Sequence, residues 1–246
     1  MSTVERPTVS ARRAEPGQSA GRARGRRMAV DAVLAGLTGY VAAAGTADFI
    51  NPDWSPVESM VSHYVHARAG WLITVALLSL AAASAVLLRL AATRTRGGRL
   101  GLWLLGTWTA SVLLGGVFPA DPYGRWDQPP TLAGMVHGIA GLIAFVALPA
   151  AAVILTRTWR RDPRWRPVAR PLTVAAALTV ASFLALMVTF FDVQGGPSLS
   201  VGPWESLVGL TERLMLWSCV AWLAIGAAGL RRMTDKWIIE TWRQQT

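Results

Sequence analysis

The chain has 246 residues, 52% of them hydrophobic and only 15% charged, with a mean hydropathy of +0.37, which excludes an ordinary soluble domain and makes lipid the main solvent. A net charge of +10 would fit nucleic acid only if the charges shared one face with stacking aromatics. Here they are divided among loops between apolar spans, so anionic membrane lipid is the expected partner, and no nucleic acid.

The chain carries 12 tryptophans, residues that favour the membrane–water interface, where an apolar ring with one N–H finds both of its environments. A single cysteine, Cys219, rules out an intrachain disulfide and a thiolate metal site.

Residues 1–27 are rich in Arg, Ala, Gly, Ser and Pro with no apolar periodicity, and read as a disordered tail that cannot bury enough surface to offset its ordering entropy. A secretory signal peptide is the rival reading, but the following span is longer than a signal core, which favours a retained first helix. Six apolar stretches follow, at about 29–49, 71–92, 100–119, 132–155, 172–192 and 207–230, each near the roughly 20 residues needed to cross a hydrocarbon core. Prolines mark their ends: Pro52, Pro119, Pro129-Pro130, Pro171 and Pro203. The expected fold is therefore all-α, a polytopic bundle of six transmembrane helices over 28–231 with a C-terminal tail at 232–246.

Basic residues set the orientation. Seven arginines precede the first span, Arg89, Arg94, Arg96 and Arg99 surround the second connection, six lie between Arg157 and Arg170, and Arg231, Arg232, Lys236 and Arg243 follow the last span. Only Arg68, Arg125 and Arg213 fall on the opposite side, so the positive-inside rule places both termini in the cytoplasm of a cell-membrane protein.

The polar residues that are left gather on the extracytoplasmic side. Ser55-Pro56-Val57-Glu58 fits a capping box, with Ser55 as N-cap and Glu58 reaching back, and predicts a short interfacial helix over about 56–66. Its apolar face is Val57, Met60, Val61, Tyr64 and Val65; Ser59, Ser62, His63 and His66 lie on the other. At a spacing of four, Ser59/His63 and Ser62/His66 would place a hydroxyl within reach of an imidazole, although a lid or solvated face is the plainer reading. Gly134, Gly138 and Gly141 predict a close helix-packing face on the fourth span.

Deeper ionisable groups cost more in lipid and so carry more information. His137 is expected about two turns into the fourth span, and Glu212-Arg213 two to three turns into a sixth helix starting near Pro203. Adjacent residues point about 100° apart, so Glu212 and Arg213 need different partners, and Asp48, Asp121 and Asp192 at the span ends are the available acids. This predicts an ion pair between Arg213 and one of them, and a pocket in which Asp121, His137, Glu212 and Asp192 are the candidate catalytic residues. Asp48, Ser59, Ser62, His63, Tyr64 and Arg213 are the candidate substrate-binding residues. No HExxH or CxxC spacing is present, and neither a metal nor another cofactor is implied.

Ser59-x-x-Ser62-x-Tyr64 after the first span, Phe118-Pro119-Ala120-Asp121 closing the third, His137 early in the fourth and Gly209-Leu210-Thr211-Glu212-Arg213 opening the sixth together resemble the bacterial six-helix family known as domain of unknown function 998. The resemblance covers roughly residues 30–230. It implies six spans and importance for the polar residues on one side, and transfers no activity. Three functions compete: a membrane-embedded acid/base enzyme or lipid-handling protein acting on a lipid or isoprenoid, such as a protonation-initiated cyclase; a permease; and a non-catalytic scaffold. The permease ranks below the first, because the polar residues sit toward one end and no internal repeat is evident.

Overall fold

The computed structural model describes residues 16–124, 128–195 and 199–243, with 16–20, 22 and 236–243 as backbone only. Six long helices carry the fold: α1 (Pro16–Ile50), α2 (Trp71–Ala92), α3 (Arg99–Val117), α4 (Leu132–Arg160), α5 (Ala169–Gly195) and α6 (Val208–Arg243). Each contains a segment long and apolar enough to cross a membrane, and a helix satisfies its own backbone groups in hydrocarbon. The protein is a multi-pass membrane protein.

Two helices outrun their apolar stretches far more than the others do. The first begins at Pro16, so residues 16–27, expected as disordered tail, are helical; residues 1–15 lie outside the described residues. The sixth continues through the C-terminal tail to Arg243. Polar helical extensions of this kind leave no apolar periodicity to read, since past the lipid the helix needs no buried face.

Consecutive helices pack as neighbours and α1 also meets α6, which closes the six into an up-and-down ring. The α6 helix additionally touches α2 and α4, and 61% of its apolar window is buried against 28% for α1 and α5, which makes it the central element. Of the consecutive pairs, α4 and α5 make the thinnest contact.

The first, third and fifth connections meet at one end of the ring, here the histidine end. At the opposite, arginine end a 3-10 helix (Pro163–Val168) inserts Trp165 between elements. Its ring stacks on Trp159 at 4.1 Å, and Trp159 stacks in turn on Trp222 at 5.5 Å. Two ion pairs at this end, Arg27–Asp235 and Arg231–Asp31, join α1 to α6.

Candidate functional site at the histidine end

The α1–α2 loop is held from three directions. Asn51, just after α1, donates from Nδ2 to the Ala47 and Arg68 carbonyls at 2.8 and 3.1 Å, and its Oδ1 accepts from the Arg68 N–H at 2.8 Å, drawing the two ends of the loop together. From α6, Arg213 forms a two-point pair with Asp48, Nη2 to Oδ1 at 2.6 Å and Nε to Oδ2 at 3.2 Å. Its Nη1 donates to the carbonyls of Pro56 and Ser59, both at 2.7 Å, and of Gly209 at 3.1 Å. The guanidinium also lies 5.3 Å from the centre of the Tyr64 ring, at cation–π range. The expected Arg213 partner is thus Asp48, with Asp121 and Asp192 uninvolved.

Glu212, one residue earlier, points elsewhere, as the 100° rule requires. Its Oε2 accepts the Val61 N–H at 2.5 Å, and the residue is 3% exposed. Because α6 starts at Val208 rather than near Pro203, Glu212 stands about one turn into the helix, shallower than expected.

A short helix occupies the α1–α2 loop as expected, but it is a 3-10 helix over Val61–His66, and a turn at Ser55–Ser59 stands where its first part was expected. Glu58 does not cap it: Glu58 Oε1 accepts from the Glu205 N–H across the fold at 2.8 Å. Carbonyls that an α-helix would use internally face Arg213 and the Leu210 N–H instead. In this geometry neither Ser59 with His63 nor Ser62 with His66 forms a hydrogen bond. His66 Nε2 donates to the Ala120 carbonyl at 2.7 Å, and Ser59 contributes its carbonyl to Arg213. Tyr64 is fully buried, its hydroxyl donating to the Trp54 carbonyl at 3.2 Å.

Next to this loop lies a cavity of about 540 Å³, within the size range of small-molecule sites. Its polar wall includes Ser62, His63, Asp121, His137 and Glu212; its apolar wall is built by α4 and α5, through Met135, Ile139, Leu142, Phe145, Met187 and Phe190. A second cavity of about 50 Å³ shares Ser62, His137, Gly141, Phe145 and Glu212 with the first and extends inward toward Trp108 and Leu216. His137 and Glu212 therefore border both.

His137 has a defined tautomer. Its Nδ1 lies 3.0 Å from the Gly115 carbonyl and 2.8 Å from that of Phe118. Carbonyls only accept, so Nδ1 carries the hydrogen, and in the neutral ring Nε2 is left as an acceptor. His63 also borders the cavity, its ring 5.3 Å from that of Tyr123, and its buried Nδ1 has no hydrogen-bond partner.

Asp121 plays a visible local part. Its oxygens accept from the Thr131 N–H at 3.0 Å and hydroxyl at 2.6 Å, while Thr131 Oγ1 caps α4 by accepting from the Gly134 N–H at 3.0 Å. Asp192 does not line the cavity; its Oδ2 accepts from the Leu199 N–H at 2.6 Å, and Gln194 and Phe190 represent α5 in the wall instead. Of the four candidate catalytic residues, three border one cavity and Asp192 stands apart.

The glycine face of α4 is likewise not a helix-packing surface. A Cβ on Gly134 would collide with the Asp121 carboxylate, whereas one on Gly138 or Gly141 would meet nothing within 4 Å, and both line the cavity. Asn51, Tyr123, Phe190 and Gln194 escaped the sequence reading. Only Asn51 left a signal there: a lone amide directly after a span end.

A family model described as "Protein of unknown function (DUF998)" matches residues 33–229. No curated protein and no solved structure matches the chain.

Proposed function

This chain belongs to the DUF998 family, and we propose that it binds a lipid or isoprenoid-like amphiphile in the 540 Å³ cavity and moves a proton on its head group. The carrying observation is the cavity's polarity gradient. His63, His137 and Glu212 supply a polar part of the lining, and apolar side chains on α4 and α5 supply much of the rest. Three of these, Met135, Ile139 and Leu142, are 47%, 56% and 49% exposed, on a helix whose outer face meets hydrocarbon. An amphiphile then enters sideways at the thin α4–α5 seam, its chain along that face and its head at the polar wall. His137 Nε2 is the base, held in one tautomer by the two carbonyls. Glu212, fixed by Val61 N–H, is the second proton-carrying group. Asp121 has the supporting role of holding the start of α4 at the cavity mouth, and Asp192 has none in this reading.

The arginine end faces the cytoplasm and the cavity opens to the extracytoplasmic leaflet of the cell membrane, as the distribution of basic residues favours.

Filling the cavity tests the reading. Gly138 lines it, and a Cβ built there meets nothing within 4 Å, so Gly138→Phe adds a ring on the cavity wall from an unobstructed starting point. Native mass spectrometry of protein extracted from membranes should show a bound lipid in the wild type that is lost in Gly138→Phe, at an unchanged melting temperature. Retention of the same lipid by the folded variant would overturn the assignment. His137→Ala and Glu212→Gln should each lower lipid occupancy in the same measurement, because each removes a group that takes the head group's proton.

A further inference from the structure

The chemistry of the polar wall restricts the head group, a step that rests on the amphiphile-binding reading above. Among the described residues lining the two cavities there are two carboxylates, Asp121 and Glu212, and two imidazoles, His63 and His137, but no lysine or arginine. The nearest arginine in sequence, Arg213, is turned to the far side of α6, where Asp48 takes two of its nitrogens and three carbonyls take Nη1. It is not available to a ligand unless the α1–α2 loop is released. A phosphate placed against this wall would bring its charge out of water with no described lysine or arginine to offset it, which is costly for any unpaired charge.

The same wall is rich in acceptors. His137 Nε2 is left as an acceptor once Nδ1–H is committed to the Gly115 and Phe118 carbonyls. The Glu212 carboxylate receives one N–H, at Oε2. His63 Nδ1 is buried and unpartnered; a neutral ring either donates or accepts there, and a hydroxyl satisfies both cases. A head group satisfying such a wall brings its own O–H donors.

We propose that the ligand is an uncharged, hydroxyl-bearing amphiphile, of the free-alcohol or glycerol-ester kind, and that the site discriminates against the phosphorylated form of the same molecule. Discrimination arises because the alcohol donates to His137 and Glu212 without bringing a charge, while the phosphate brings one that no described lining residue offsets.

The test uses two probes with identical chains, dioleoylglycerol and dioleoyl phosphatidic acid, titrated against the full-length protein in zwitterionic nanodiscs. The expected result is at least about tenfold tighter binding of dioleoylglycerol, abolished by Gly138→Phe. Gly138→Lys, which adds a cation in open space on the cavity wall, should shift the preference toward phosphatidic acid. If the wild type binds phosphatidic acid as tightly as dioleoylglycerol or tighter, and Gly138→Phe removes both, the head-group inference is wrong while the amphiphile site stands. If neither probe binds in a way that Gly138→Phe affects, both readings fail together.

Discussion

His63 shows what the site demands of a single side chain. Its Nδ1 is buried without a partner, and burial, helped by the nearby rings of His137 and His66, pushes its pKa down from 6.5 to about 4. Between those two values the unfolded chain takes up a proton that the folded chain refuses. The neutral ring's contribution is therefore fully present above pH 6.5 and is lost as pH falls toward 4. Acidification from pH 7.5 to 5 should lower the melting temperature of the wild type more than that of His63→Phe, which has no proton to bind. Equal slopes in detergent-solubilised protein would sink this account. The sequence grouped His63 with the residues that line the cavity, Asp121, His137 and Glu212 among them, but it paired the ring with Ser59. That pairing assumed α-helical spacing, and the 3-10 geometry of Val61–His66 removes it.

At the level of elements, the α1–α2 loop illustrates why local rules misread a tertiary clamp. Ser55-Pro56-Val57-Glu58 satisfies a capping box on paper, yet Glu58 answers to Glu205, and the carbonyls of Pro56 and Ser59 answer to Arg213. Those partners are about 150 residues away in sequence, so no window around the loop contains them. The Glu212-Arg213 pair was legible as something needing two partners in two directions; which partners it takes depends on where the loop lies. Gly209 decides that placement: a Cβ there would stand 2.5 Å from the Ser59 carbonyl oxygen and 2.9 Å from that of Pro56, the two acceptors of Arg213 Nη1. Gly209→Val should consequently push the loop off α6 and destabilise the protein by about 1–3 kcal/mol, more if Arg213 is left short of acceptors. Gly138→Ala, with nothing near its Cβ, should leave stability unchanged. Thermal unfolding of the two variants side by side provides the check, and an equally mild effect at Gly209 would show that the loop yields freely. The glycines of α4 were misassigned for a related reason. Small residues mark close approach, and close approach to a cavity leaves the same sequence trace as close approach to a helix.

Across the whole molecule, the six spans were readable because hydrophobic length is a local property, and the helices coincide with the apolar stretches wherever lipid sets their limits. Orientation has a different warrant, the distribution of basic residues, and the structure sharpens that argument by changing the status of one exception. Arg213 is 9% exposed and paired with Asp48, so it is an internal structural cation and not a loop charge that must be translocated. Arg68, in an exposed 3.8 Å pair with Asp53, is the one described loop arginine left at the histidine end. Site-directed labelling can read the orientation directly because the native Cys219 is fully buried and should stay silent. With a membrane-impermeant maleimide on intact protoplasts, Asp53→Cys in the α1–α2 loop should label at once, and Arg96→Cys in the α2–α3 connection only after permeabilisation. Labelling in the reverse order would turn the molecule over, place the cavity on the cytoplasmic leaflet and move the search for its amphiphile to the lipids of that side.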